Sequence, residues 1–381
     1  MSRENITPDK IALLATGDEI SNGDILNTNS QEIAQRLFNN GMHVGVHMTT
    51  SDTITEIEQA ISYLLQNHRA LIITGGLGPT SDDLTRYALA KSLNRELIFD
   101  DVTWDLICER LMKFGYNTPP QSNRQQALYP EGAVIIPNPN GTAGGCMIQH
   151  KDQWIFMLPG PPPECLPMIE TTVLPNLKQA GFQHILHHKS WMLFGVSEGQ
   201  IAEELDKIAQ PFNCTTGYRL FYPYIEFKIY SNHKADFDAL IPLIEQVVAP
   251  YLISAGKKTA STTLIDTLKN LNYTIGICDL ATGGSLESII QTPENYAHVR
   301  FSHDIHFSTD TPYVVIKGLN EFWMNPQKEH DIIEAQLEIT FVSKKSQKTT
   351  TTKIPFRGKR VKQYAVEFIC HQISNFINEV G

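Results

Sequence analysis

Ala70-Leu71-Ile72-Ile73-Thr74 runs without a break into Gly75-Gly76-Leu77-Gly78-Pro79-Thr80-Ser81-Asp82-Asp83. The apolar run has the length of a strand and no polar alternation, the pattern of a parallel strand buried on both faces. The residues before it, 54–68, carry Ile54, Ile57, Ile61, Leu64 and Leu65 at helical spacing. Further upstream, Ile11–Ala15 is a second apolar run. Ile33, Ala34, Leu37 and Phe38 then share a helical face over 31–40 before Gly41, and 42–48 gives another strand. Strands alternating with helices predict an α/β domain whose mostly parallel sheet is covered on both faces.

In such sheets ligands bind outside the carboxyl ends of the strands, so the loops leaving each strand are where chemistry is sought. These loops are Thr16-Gly17-Asp18-Glu19, Ser51-Asp52, 75–83, 122–127 (SNRQQA), 138–145 (NPNGTAGG) and 158–164 (LPGPPPE). A glycine-rich turn lets backbone N–H groups approach an anion closely. The loop 75–83 has no lysine after its glycines and does not spell GxGxxG, so neither a Walker motif nor a dinucleotide fingerprint is present. Asp82 and Asp83 beside such a cradle would repel a phosphate unless they serve a metal or a proton transfer; as helix N-caps they would be equally at home.

The chain has 381 residues, enough for two or three domains at roughly 150 each. With 41% hydrophobic and 19% charged residues it falls in the soluble globular class. Lys and Arg total 31 against 41 Asp and Glu, 31 − 41 = −10, a balance that repels phosphate backbones and anionic lipid. Nucleic-acid and membrane partners are therefore not expected. Six scattered cysteines without a CxxC pair fit reduced thiols, and the polar start MSRENITPDK lacks an apolar signal core. The expected location is the cytoplasm.

Past residue 181 the style changes. Residues 187–254 read as strand, helix (197–209), two strands (214–219 and 224–230) and helix (234–249), and 258–381 opens with a helix and the strand IGICD before Gly283-Gly284. The chain closes with an alternating strand around Leu337, Ile339 and Phe341, a Lys/Thr-rich turn and a helix near 361–378. His298, His303, Asp304, His306 and Asp310 lack the spacing of a zinc site, and strand alternation sends His303 and His306 to opposite faces. Residues 343–362 hold eight Lys or Arg and no acid, read as a solvated hairpin and helix start.

The set TGDEI (16–20), NTN (27–29), SD (51–52), TGGLGPTSDDLT (74–85), SNRQQA, NPNGTAGG and LPGPPPE, in this order, closely resembles the CinA family of competence/damage-inducible proteins. The resemblance extends through GYRLFYPYIEFKI (217–229) and weakens past 285. It implies a three-layer molybdopterin-binding domain of the MogA/MoeA type over 1–180, a small α+β KH-like connector over 181–256, and an α/β amidase-like domain over 257–381. The connector lacks the GxxG clamp of RNA-binding KH domains.

In that family the first domain is associated with hydrolysis of ADP-ribose to AMP and ribose 5-phosphate, dependent on a divalent cation (Co²⁺, Mg²⁺, Mn²⁺ or Ni²⁺). Carried over by motif, Asp52 and Asp83 become the metal-binding or water-activating carboxylates, with Asp82 and Glu19 as further candidates. Gly75, Gly76, Gly78 and Thr80 would cradle phosphate, while Asn123 and Arg124 would clamp the second phosphate or the ribose. Asn27, Asn29, Asn138, Gly141, Thr142, Gly160 and Glu164 complete the expected substrate rim. A non-catalytic molybdopterin- or nucleotide-binding scaffold is the alternative on the same cleft. A homodimer is also expected.

The family's amidase signature E-S-x-T-G-G is matched here by Asp279-Leu280-Ala281-Thr282-Gly283-Gly284. Leu280 replaces the serine nucleophile, and an aliphatic side chain cannot attack an amide. Thr282 and Ser285 are the hydroxyls that would have to substitute. The amidase activity is expected to be absent.

Overall fold

The structure, a computed structural model, describes residues 10–303, 311–324, 334–344, 346–355, 358 and 360–380. The chain forms two compact units, one ending at Ile185 and one beginning at Leu186.

The first unit is built on a six-stranded sheet. In chain order its strands are β1 (Lys10–Thr16), β2 (His43–Thr50), β3 (Ala70–Thr74), β6 (Val134–Ile136), β7 (Gly145–His150) and β8 (Gln153–Leu158), while β4 (Leu97–Phe99) and β5 (Leu128–Pro130) pair separately. The sheet order is β2-β1-β3-β8-β7-β6. The strands β2, β1, β3 and β8 run parallel; β7 is antiparallel to β8 across a hairpin at Lys151, which takes a positive φ, and β6 is antiparallel to β7.

Successive residues on the parallel strands point to opposite faces, and both faces are buried. Ala12, Leu14, Leu71 and Ile73 pack on Ile57, Ile61 and Leu64 of the helix Ile54–Asn67. Ile11, Leu13, Ala70 and Ile72 pack on Ile33 and Leu37 of the helix Thr28–Asn39, and on Met168, Val173 and Leu177. This is why 70–74 carries no polar alternation. Truncating a fully buried residue such as Ile72 to alanine would cost about 2–5 kcal/mol. The expected three-layer α/β architecture is present, with an antiparallel edge. A helix, Asp101–Lys113, forms a small satellite core through Ile107 and Leu111, packed with Phe99 and Trp104.

The second unit contains two sheets. The first joins β9 (His187–Phe194), β10 (Thr215–Phe221), β11 (Tyr224–Ser231) and β12 (Leu252–Ala255) in the order β10-β11-β9-β12, all antiparallel. The helices Glu198–Ala209 and Lys234–Val248 cover one face, the former opened by a capping box of Ser197 and Gln200. The second sheet joins β13 (Ile275–Asp279), β14 (Val299–Ser302), β15 (Tyr313–Gly318), β16 (Glu334–Val342) and β17 (Gln347–Pro355) in the order β14-β13-β15-β16-β17. Here β13 runs parallel to both neighbours, while β16 and β17 form the Lys/Thr-rich hairpin. The helix Val361–Val380 buries Val361, Ala365, Ile369 and Ile373 in this core. Of the His/Asp group set aside above, His298 and His303 flank β14; Asp304, His306 and Asp310 lie outside the described residues.

Candidate functional site

The parallel strands end level with one another: Thr16 is opposite Thr50, Ala15 opposite Thr74, and Thr74 opposite Leu158. The four loops that follow therefore open into one cleft of about 570 Å³. Gly75, Gly76 and Gly78 form one side of it, with Asp82 and Asp83. Glu19, Asn27, Asn29 and Asp52 come from the β1 and β2 side. Thr142, Gly160 and Glu164 close the third. Thr80, Asn123, Arg124, Asn138 and Gly141 do not line it.

Two glycines are required by geometry. Gly75 and Gly76 have φ of +103° and +63°, and a side chain on either would strike Thr16 or the Thr85 hydroxyl, respectively. The Gly75 N–H donates to the Leu158 carbonyl at 3.1 Å, tying the loop to β8. The N–H groups of Gly76 and Leu77, residues that line the cleft, take no partner among the described residues.

Gly78 and Thr80 differ from expectation. Their N–H groups donate to the Asp83 carboxylate at 2.6 and 2.8 Å, and the Thr80 hydroxyl also donates to it. A carboxylate five and three residues downstream is the nearest anion to these donors, so Asp83 shapes the turn that it was expected to serve as a metal ligand. The same applies to SNRQQA. The Asn123 amide, buried, donates to Gln126 at 2.9 Å, and Gln125 donates to the carbonyls of Gly78 and Thr80 at 3.0 and 2.7 Å. Arg124 stacks its guanidinium on Phe99 and Trp104, 4.4 and 5.2 Å from the ring centroids, because a planar cation gains more on an aromatic face than in open solvent. Of this motif it is Gln125 that braces the glycine loop, and Gln126, rather than Asn123 or Arg124, that lines the cleft.

Asn138 is likewise an organiser. Its side chain accepts from the N–H groups of Asn140 and Gly141, both at 2.9 Å, and donates to Ala143 O at 2.9 Å and to Glu164 at 2.6 Å. A side chain on Gly141 would displace the Glu164 carboxylate from its place against Asn138. Arg110 holds the same loop through the carbonyls of Asn138 and Pro139 at 3.0 and 2.6 Å. Asn27 caps the helix Thr28–Asn39 by accepting from Ser30 N–H at 3.0 Å, and Asn29 donates to the Gly160 carbonyl.

Asp52 is the exception to this pattern of internally satisfied groups. Its Oδ2 accepts from the Asp18 N–H at 3.1 Å, but its Oδ1 is buried and has no partner. Burial pushes its carboxyl up, opposed by the Asp18 N–H, and the charges of Asp18, Glu19 and Asp82 push it further. Nothing in the motif TGDEI distinguishes Asp18, which holds Asp52, from Glu19, which lines the cleft. Among the described residues no group of three His, Cys, Asp or Glu side chains is placed to hold a metal. Magnesium-like cations commonly bind through one or two carboxylates and the substrate's own phosphates. An orphaned buried oxygen in an acidic cleft fits that mode.

In the second unit, Asp279 accepts from the N–H groups of Ala281 and Thr282 at 3.0 and 2.9 Å and from the Thr282 hydroxyl. That hydroxyl, fully buried, also accepts from Leu286 N–H at 3.0 Å. Leu280 is 46% exposed. The Trp323 indole donates to Ala281 O at 2.7 Å, and its ring lies where a side chain on Gly283 would project. No helix among the described residues is long and apolar enough to cross a membrane.

Residues 12–179 match the sequence family described as "Probable molybdopterin binding domain". A CinA-like protein of Geobacter sulfurreducens is 31% identical over 283 residues, covering 72% of this chain and 68% of its own length. A CinA-like protein of Geobacter metallireducens is 32% identical over 285 residues with the same coverage, 72% and 68%. Among solved structures, the protein CinA from Thermoplasma acidophilum is similar at 27% identity and a TM-score of 0.41, over 45% of this chain and 97% of that one. With its first unit carrying a molybdopterin-binding-type domain, the chain belongs to the CinA-like protein family.

Proposed function

We propose that the first unit hydrolyses the pyrophosphate bond of ADP-ribose, or of a related nucleoside diphosphate, to AMP and ribose 5-phosphate with a divalent cation. The observation that carries this reading is the unpartnered, buried Oδ1 of Asp52 in a cleft that also offers the free N–H groups of Gly76 and Leu77. Cleaving a pyrophosphate requires charge neutralisation and a water molecule aligned with the breaking bond. Asp52 would hold a divalent cation (Mg²⁺, Mn²⁺, Co²⁺ or Ni²⁺), which when bound would supply the neutralisation. The loop N–H groups orient the phosphate oxygens, with Gln126 and Glu164 on the same cleft wall. Net charge of −10 does not oppose an anionic substrate, because the donors are local to one cleft.

The same unit working as a non-catalytic pterin or nucleotide scaffold is favoured by one observation: both Asp83 oxygens are committed to the loop. Incubation with ADP-ribose and each cation, with assay of AMP, separates the two. AMP formed only with cation supports the enzyme; tight ligand binding without product under every cation overturns it. We propose further that the chain is a cytoplasmic homodimer, checked by sedimentation, and that the second unit has no amidase activity.

A further inference from the structure

Behind the glycine loop lies Arg86, 1% exposed. Its Nη2 donates to the Leu77 carbonyl at 2.7 Å, Nη1 reaches the Gly78 carbonyl at 3.5 Å, and Nε is buried without a partner. Among the described residues it forms no ion pair. Asp83 acts on it through space, but the Asp83 oxygens are taken up by Gly78 and Thr80. Tyr129, Tyr87 and Cys146 also act on it, and burial has pushed Tyr129 and Cys146 to about 12, so that both are neutral beside it.

A buried cation without a paired anion is costly, and removing it from water gains nothing that a neutral amide could not supply to two carbonyls. Its position is informative. The two carbonyls it grips belong to Leu77 and Gly78, which line the cleft, and Leu77 is one of the two residues whose N–H is free. The peptide N–H opposite the Leu77 carbonyl is that of Gly78, already held by Asp83, and the Gly78 carbonyl precedes Pro79, which has no N–H; what Arg86 adds behind this wall of the cleft is its charge.

We propose that Arg86 is the countercharge of an anion site: a positioning residue that braces Leu77 and Gly78 from behind and completes its own electrostatic pairing when a pyrophosphate group binds on the cleft side of the loop. This rests on the reading of the cleft as a pyrophosphate site. The ligand class is a pyrophosphate or its nucleoside ester, in preference to a neutral pterin or nucleoside.

The test compares wild type, Arg86→Met and Arg86→Lys in the full chain, with inorganic pyrophosphate and adenosine as calorimetric probes and circular dichroism as the check on folding. Expected is a loss of about tenfold or more in pyrophosphate affinity for Arg86→Met, partial retention for Arg86→Lys, and no change for adenosine. In turnover the loss should appear in KM more than in kcat. A folded Arg86→Met with wild-type pyrophosphate affinity overturns the proposal, as do Met and Lys variants that lose affinity equally. Should neither variant fold, the wild type decides: the Arg86 Nε–H resonance must shift with pyrophosphate and not with adenosine, and an unmoved resonance overturns the proposal. Pyrophosphate binding that depends on Arg86 without AMP formation leaves this inference standing and removes the hydrolase reading. Hydrolysis that is indifferent to Arg86 does the reverse, and a wild type that binds no pyrophosphate removes both.

Discussion

Asp18 and Asp52, 34 residues apart, each donate a backbone N–H to the other's carboxylate at 3.1 Å. This reciprocal pair locks the loop after β1 to the loop after β2 and aims Asp52 into the cleft. It satisfies one oxygen of Asp52 and leaves the other buried and unpartnered. A group kept in that state in the absence of ligand weakens the fold in return for readiness to bind.

Asp52→Asn should therefore do two opposite things. The amide oxygen can still accept from Asp18, and the buried charge is gone, so the cation-free protein should melt higher, by about 2 °C. Cation-dependent turnover should fall by about 100-fold or more. Differential scanning calorimetry and the AMP assay read the two effects separately, and a variant that is both less stable and fully active would refute the assignment.

The raised Asp52 carboxyl also sets a pH dependence. Between the ordinary carboxyl pKa, about 3.9, and the higher folded value, the folded chain binds more protons than the unfolded one, so stability falls as pH rises through that window. Melting curves without cation across this range should show that contribution in wild type and not in Asp52→Asn. An identical pH slope in both proteins would count against it.

How far the sequence alone carried the reading differs between fold and site for a physical reason. The parallel strands announced themselves because burial on both faces removes polar residues from 11–15 and 70–74. The level strand ends then placed Asp52, Gly75 and Gly160 together without further information. What was not legible is which polar side chain turns inward. Arg124 and Asn123 sit in the same short helical turn as Gln126, and the rings of Phe99 in β4 and Trp104 in the helix Asp101–Lys113 decide that the arginine turns away. Arg86 was hidden for the same reason: a charged residue in TSDDLTRYALA gives no sequence sign of being buried.

That distinction is measurable. Arg124→Ala should leave KM for the substrate unchanged and cost about 1 kcal/mol of stability through the lost stacking on two rings. Gln126→Ala, which empties a position on the cleft wall and also frees the Asn123 amide, should raise KM. A large KM change for Arg124→Ala would restore it to the ligand clamp.

Leu280→Ser tests whether the second unit has lost more than a nucleophile. If the leucine were the only defect, a serine at this half-exposed position would recover deamidation of nicotinamide mononucleotide. The structure argues otherwise. The Thr282 hydroxyl is fixed between Asp279 and the Leu286 N–H, and the Trp323 ring lies where a side chain on Gly283 would project. The Asp279 carboxylate beside residue 280 is taken up by the N–H groups of Ala281 and Thr282 and by the Thr282 hydroxyl, and an unactivated serine is a weak nucleophile. Ammonia release by Leu280→Ser should stay at background, and it should stay there in Leu280→Ser/Trp323→Ala, which opens the turn without adding a base. Release by the single variant would mean that the catalytic surroundings are intact; release by the double variant alone would identify Trp323 as the sole obstruction.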